Sequence, residues 1–167
     1  LHFTSNNTIF GTQFKEMPKT SLPLVCDMSS DIFSREINVS DFDLIYAGAQ
    51  KNMGPAGTTL YIVKDEILGK STSDFMPTYL DLKTHAEKDS MFNTPPVFPV
   101  YASMLNLRHL VKNGGVKGAQ ERNEAKAALL YNEIDNNPLF EGTVAKEDRS
   151  NMNITFLMND ESRLDEF

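Results

Sequence analysis

The chain has 167 residues, 40% of them apolar and 23% charged, values of a soluble globular protein that is one domain or a piece of something larger. Sixteen Lys and Arg against 23 Asp and Glu leave a formal net charge of −7. That balance argues against general nucleic-acid binding and against attraction to anionic membranes, since both need clustered positive charge, but it leaves room for a small anionic ligand held by a few local donors.

The one cysteine, Cys26, forms no internal disulfide and builds no thiolate metal site by itself, so a reducing compartment such as the cytoplasm is expected. The apolar runs Leu22 to Cys26 and Leu60 to Val63 fall far short of a membrane span. No signal-peptide pattern opens the chain. It starts without Met and ends within a helix-like acidic segment that has no stop signal, which predicts a fragment or the ordered part of a longer protein.

Strand and helix signals alternate, so the expected class is α/β. His2 to Thr4 reads as the end of a strand, followed by the polar turn Ser5 to Thr8. Leu22 to Cys26 is a short apolar run closed by Asp27, with loop or cap residues at Ser29, Ser30 and Asp31. Leu44 to Ala47 is a second buried strand, and Thr58 to Val63 is a third, β-branched one after the turn Gly54-Pro55-Ala56-Gly57. Asp65 to Leu68 predicts a helical turn stopped by Gly69. Residues 71–96 are rich in Ser, Thr, Asp and Pro and read as a long ordered loop of the kind that often carries function.

Val97 to Lys112 has the apolar spacing of a largely buried helix, with Gly114-Gly115 as its stop. Val116 to Ile134 reads as a more amphipathic helix closed by Asn136-Asn137-Pro138. Met152 to Met158 predicts a strand, and the acidic end starts a further helix. A boundary near Asn113 divides the chain into 1–112 and 113–167.

Lys51 is the most informative residue. It follows an apolar strand and lies between Gly48 and Gly54. A lysine amine becomes a nucleophile toward carbonyls when burial or nearby positive charge lowers its pKa; a solvated loop lysine is the alternative. Asp27 ends another strand, at the edge where α/β sheets collect ligands. A carboxylate there can keep a ring nitrogen protonated, because opposite charges at ~4 Å and an effective dielectric of ~20 attract by roughly 4 kcal/mol before desolvation. The competing role for Asp27 is a cap on Ser29-Ser30.

Thr8 is either a ligand contact or an ordinary turn hydroxyl. Asn93-Thr94 precedes Pro95-Pro96, which holds Thr94 away from helical geometry; the competing role is a cap for the helix at Val97. Gln50 has only its adjacency to Lys51. His2, His85 and His109 show no metal-ligand spacing, and no P-loop, GxSxG or GxGxxG motif is present.

Cys26-Asp27-Met28-Ser29-Ser30, the stretch Tyr46 to Gly57 and Met91-Phe92-Asn93-Thr94-Pro95-Pro96 together closely resemble the phosphoserine aminotransferases. Ser5-Asn6-Asn7-Thr8-Ile9 and Arg149-Ser150-Asn151-Met152-Asn153 fit in the same order, so the likeness spans essentially the whole chain. The resemblance implies the three-layer α/β/α large domain of the pyridoxal-phosphate aminotransferase fold (fold type I), followed by the start of a smaller α+β domain. It implies a homodimer exchanging an amino group between glutamate and 3-phosphohydroxypyruvate, giving phosphoserine and 2-oxoglutarate in serine biosynthesis.

Carried over by position, Lys51 holds pyridoxal 5'-phosphate through a Schiff base and moves protons at the substrate carbon. Asp27 pairs with the pyridine nitrogen, Thr8 contacts the ring's phenolic oxygen, and Gln50 binds the cofactor phosphate. Asn93 and Thr94 reach the phosphate of the partner subunit's cofactor. The family's glycine-rich phosphate turn, ring-stacking aromatic residue and substrate-binding basic residues have no counterpart in this chain, so alone it is expected to be inactive. Asn7 stands where many relatives have Glu. The alternatives are another enzyme of the same fold, of the cysteine desulfurase or alanine–glyoxylate aminotransferase type, and a catalytically silent interaction module.

Overall fold

The computed structural model describes residues 1–70 and 73–167. Its central sheet has four strands, β1 (His2–Thr4), β4 (Val25–Asp27), β5 (Leu44–Gly48) and β6 (Thr59–Val63), in that order. The first three run parallel, with Thr4 beside Asp27 and Asp27 beside Tyr46; β6 returns antiparallel, placing Tyr61 beside Tyr46. A small antiparallel hairpin, β2 (Asn6–Asn7) and β3 (Thr12–Gln13), leaves the end of β1 where a simple turn was expected.

Alternation fixes which face of β5 is buried. Ile45 and Ala47 are inside, while Leu44, Tyr46 and Gly48 face the other way. Around Ile45 gather Leu24, Cys26, Met28, Phe42, Ala49 and Met53, with Leu60 and Ile62 of β6 packed against them. The opposite face carries a row of rings, in which His2 and Tyr61 both stack on Tyr46 at centroid distances of 5.9 and 6.3 Å. Cys26 has no exposed surface, and burial pushes its thiol up to about 12, so it packs as a small apolar group.

The expected loop after β6 begins with a 3-10 turn at Asp65–Ile67, which Gly69 ends at φ +74. Ser71 and Thr72 of that loop lie outside the described residues; farther on it contains the short helix α1 (Leu82–Ala86), capped by Asp81. Helices α2 (Val97–Lys112) and α3 (Gly115–Asn136) follow, and the chain reverses between them at Gly114 and Gly115, both with positive φ.

The bounds of α2 agree with its sequence pattern, but its burial does not. Val97, Phe98 and Val111 are each more than 70% exposed, and Ser103 is its one buried residue. Periodicity marks an apolar face without saying what covers it; α2 packs through Ser103 on Gly54, through Leu107 on the core and against α3. The α3 helix buries Ala119, Ala127 and Ile134 along one stripe.

The expected strand 152–158 shortens to β8 (Phe156–Met158), because residues 149–155 bend to meet the first hairpin. Its partner β7 (Phe140–Gly142) had no distinct sequence signal. The acidic end is a 3-10 helix, Glu161–Glu166. Among the described residues no helix is long and apolar enough to cross a membrane.

Arg149 ties the end of α3 to the following loop. It grips Asp135 with two bonds of 2.8 and 2.6 Å and lies 4.5 Å over the Tyr131 ring; Lys146 approaches the same carboxylate at 3.1 Å. Hydrogen bonds from Arg149, then from Lys146, hold the Asp135 carboxyl far below its ordinary 3.8. A depressed folded-state pKa contributes stability above the ordinary value, and that contribution fades as pH falls toward the folded-state value. Asp135→Asn is therefore expected to lower the urea midpoint at pH 7, with the gap to wild type narrowing once pH drops below 3.8. Urea titrations of both proteins at pH 7, 4 and 2.5 measure it; a gap of constant size would contradict the assignment.

Candidate functional site

Because β1, β4 and β5 are parallel and in register, the segments after them leave from one edge. Those segments are 5–8, 28–31 and 48–57; they carry Thr8, Gln50 and Lys51, and Asp27 ends the strand just before the second of them.

The loop carrying Lys51 is wound tightly on Ala49, which has no exposed surface. The Ala49 N–H donates to the Thr58 carbonyl at 3.0 Å, and the Ala49 carbonyl accepts from Met53 (3.2 Å) and Gly54 (2.8 Å). One compact turn results, with Met53 plugged into the core and Lys51 on its exposed outside. Two further bonds brace it: Asn52 Nδ2 donates to the Ile32 carbonyl (2.6 Å), and Asn106 Nδ2 on α2 donates to the Met53 carbonyl (2.9 Å).

Gly54 is required by close approach. A Cβ there would lie 2.3 Å from Ser103 Oγ and 3.0 Å from the Ser103 backbone of α2. At Gly48, a Cβ would meet Gln50 Oε1 at 2.5 Å. The exposed Gln50 side chain thus folds back over the bare α-carbon of Gly48.

Lys51 Nζ donates to Thr8 Oγ1 at 3.3 Å, so two residues 43 positions apart share one site. Thr8 sits at the tip of the β2–β3 hairpin, closed by Gly11 N–H to the Asn7 carbonyl (3.0 Å). Asp27, at the end of β4, accepts from Ser29 N–H at 2.8 Å; the local turn read as its competing role is present, made by one carboxylate oxygen. Ser29 Oγ in turn accepts from Gly48 N–H (3.0 Å), joining the two neighbouring strand ends. Beside Asp27, the Tyr46 phenol is pushed up, first by burial and then by the Asp27 charge.

Asn93 and Thr94 are exposed and stand apart from this cluster. Neither caps α2, whose N-cap is Pro96 without a side-chain bond; Asn93 Nδ2 donates to the Thr94 carbonyl instead. Sequence reasoning missed a set of buried polar residues beneath the site. Asp31, almost fully buried, accepts from Ser5 Oγ, from Gln13 Nε2 at 3.3 Å and from Arg35 Nη2 at 3.3 Å. Burial pushes its carboxyl up despite these donors. Only Arg35, four residues on, is a local partner; Ser5 and Gln13 come from the preceding hairpin region, so local spacing does not reveal the cluster. Among the described residues no group of three or more His, Cys, Asp or Glu could hold a metal ion.

Phosphoserine aminotransferase of Flavobacterium psychrophilum is 61% identical over 166 residues, 99% of this chain and 46% of that protein. The solved phosphoserine aminotransferase of Bacillus circulans subsp. alkalophilus superposes with a TM-score of 0.93 at 43% identity, over 99% of this chain and 46% of its own. A PLP-bound phosphoserine aminotransferase from Trichomonas vaginalis superposes at 0.91 with 34% identity, over 95% and 44%. The chain thus spans about half the length of the curated relatives it matches, and its α/β architecture is that of a part of the aminotransferase fold. The family profile for class-V aminotransferases matches residues 1–166, and the chain belongs to that family.

Proposed function

We propose that this chain is the Schiff-base-bearing part of a phosphoserine aminotransferase, which moves an amino group between glutamate and 3-phosphohydroxypyruvate. The observation that carries the reading is the Lys51–Thr8 contact, 3.3 Å long, at the edge where Asp27 ends its strand. The names of relatives up to 61% identical favour this substrate pair over that of a cysteine desulfurase or an alanine–glyoxylate enzyme.

The donor set suits pyridoxal phosphate: an accessible amine, a hydroxyl beside it, a carboxylate at a strand end, and a side-chain amide held over a glycine. The bound cofactor supplies the electron sink for carbanion chemistry. Lys51 attaches it and carries a proton to and from the substrate carbon. Asp27 keeps a proton on the ring nitrogen; its carboxylate is oriented for this by Ser29 N–H. Thr8 donates to the ring's phenolic oxygen, and Gln50 to the phosphate. Gly48 matters through Gln50, since a methyl group at 48 would displace the amide without touching the core.

In the same reading, residues 1–112 belong to the large domain and 113–167 begin the small one. The whole enzyme is a cytoplasmic homodimer, and Asn93 and Thr94 serve the partner's cofactor phosphate. Their exposure and the lack of a capping role for them in their own subunit support this.

Borohydride reduction of the cofactor-loaded enzyme, followed by peptide mapping, is expected to place the pyridoxyl group on Lys51; label on Lys64 or Lys70 would sink the assignment. A protein that takes up no added cofactor would favour the silent module. Asp27→Asn is expected to weaken cofactor binding and to slow substrate proton abstraction by at least roughly tenfold, or about 1.4 kcal/mol in the barrier, with little change in folding. Unchanged transamination kinetics would reduce Asp27 to its turn-forming role.

Mixed dimers test the shared site. A Lys51→Ala subunit paired with one substituted at both Asn93 and Thr94 should bind cofactor at its one competent site nearly as well as wild type. Affinity as poor as in the doubly substituted homodimer would mean the pair acts within its own subunit.

A further inference from the structure

The hairpin that holds Thr8 against Lys51 is gripped from behind by a segment more than 130 residues away. Asn6, 2% exposed, uses its whole side-chain amide in this grip. Its Nδ2 donates to Ser30 Oγ and to Asn153 Oδ1, both at 2.8 Å, and its Oδ1 accepts from Ser150 Oγ. Ser30 Oγ donates to the Asn6 carbonyl (2.8 Å), and the Ser150 hydroxyl, with no exposed surface, accepts from the N–H groups of Met152 and Asn153.

The backbone is clasped as well. Ser150 N–H donates to the Gly11 carbonyl (2.8 Å), Thr12 bridges to Arg149, and Thr155 Oγ1 donates to the Phe10 carbonyl (3.1 Å). Gly11 sits at φ +69, where a Cβ would lie 2.4 Å from Thr155 Oγ1. The grip therefore encloses the hairpin on both sides of Thr8.

We infer that Asn6 is a positioning residue and that, through it, segment 149–155 sets where Thr8 stands over Lys51. The inference rests on the reading of Lys51 and Thr8 given above and deepens it: the Arg149-to-Asn153 motif acts on the site without touching the ligand. Buried polar groups with every bond made hold one geometry, because each displacement breaks a directional bond with no water to replace it.

The test uses Asn153, on the far side of Asn6 from Thr8, in the whole enzyme. Asn153→Asp keeps the oxygen that accepts from Asn6, whereas Asn153→Leu has the same shape and no acceptor. Two readouts apply: amide hydrogen exchange at Gly11 and Phe14 in the cofactor-free protein, and the dissociation constant of pyridoxal phosphate. Gly11 and Phe14 report directly, since their N–H groups close the hairpin onto Asn7 and Ser5.

Asn153→Leu is expected to speed both exchanges and to weaken cofactor binding, each by about tenfold, with Asn153→Asp within about twofold of wild type. Should Asn153→Leu fail to fold, Thr155→Val, which removes the bonds of Thr155 Oγ1 to the Phe10 carbonyl and to Thr143 Oγ1 and leaves Asn6 its partners, is expected to shift both readouts in the same direction to a smaller extent. Exchange and affinity that stay at wild-type values while thermal stability falls would overturn the inference and leave these residues structural. A wild-type enzyme that takes up no cofactor at Lys51 would overturn the functional reading instead, with the exchange experiment still deciding whether the grip positions the hairpin.

Discussion

The parallel register of three short strands is the constraint from which the site follows. Thr4, Asp27 and Tyr46 stand side by side, so the residues after each of them emerge at one edge. Parallel strands demand crossovers, and here these run through residues 5–24 and 28–43 rather than through long helices. The consequence is economical: the hairpin bearing Thr8, the turn after Asp27 and the loop bearing Lys51 need only short reaches to meet. The antiparallel return of β6 does the rest, because Thr58 is brought back to accept from Ala49 and closes the Lys51 loop at its base.

Much of this was legible in the sequence where local chemistry decides the outcome. The strand read at Leu44 to Ala47, one residue short of its observed end, the helix Val97–Lys112 and the breaks at Gly69 and Gly114 follow from β-branched and aliphatic runs, helical spacing and glycine punctuation. What was not legible depends on pairing across the chain. The Asn6–Asn7 and Thr12–Gln13 strands are two residues each, too short for a periodic signal, and they exist because Arg149 to Thr155 bonds to them. The exposure of Phe98 and Val111 was equally hidden, since an apolar face on a helix says only that burial would be favourable.

The same division applies to the site. Lys51 stood out from its setting between a strand and a glycine turn, and the structure puts Thr8 against it. The supporting residues did not stand out, because Asp31, Gln13 and Asn6 look like ordinary polar loop residues until burial is known. Once buried, each must find partners, and unmade bonds there cost about 1–3 kcal/mol apiece. Ser5 illustrates the outcome: its N–H donates to the Asp27 carbonyl (3.0 Å) and its hydroxyl to the Asp31 carboxylate, so one residue joins the strand edge to the polar layer below.

That polar layer explains why the hairpin has a single position. An apolar plug beneath Asn6 would stabilise the hairpin, but it would tolerate sliding, since hydrophobic contact is non-directional. The amide of Asn6 instead offers two N–H donors and an acceptor oxygen at fixed angles, and Ser30 and Asn153 take the donors while Ser150 bonds the oxygen. Sliding the hairpin by even one ångström would break several bonds at once. Two residues after Asn6, the Thr8 hydroxyl inherits that restriction, whereas Lys51 reaches it from an exposed position on a long flexible stem. In the reading proposed above, this joins a fixed hydroxyl at Thr8 to an adaptable amine at Lys51, the division of labour expected if Lys51 moves and Thr8 does not.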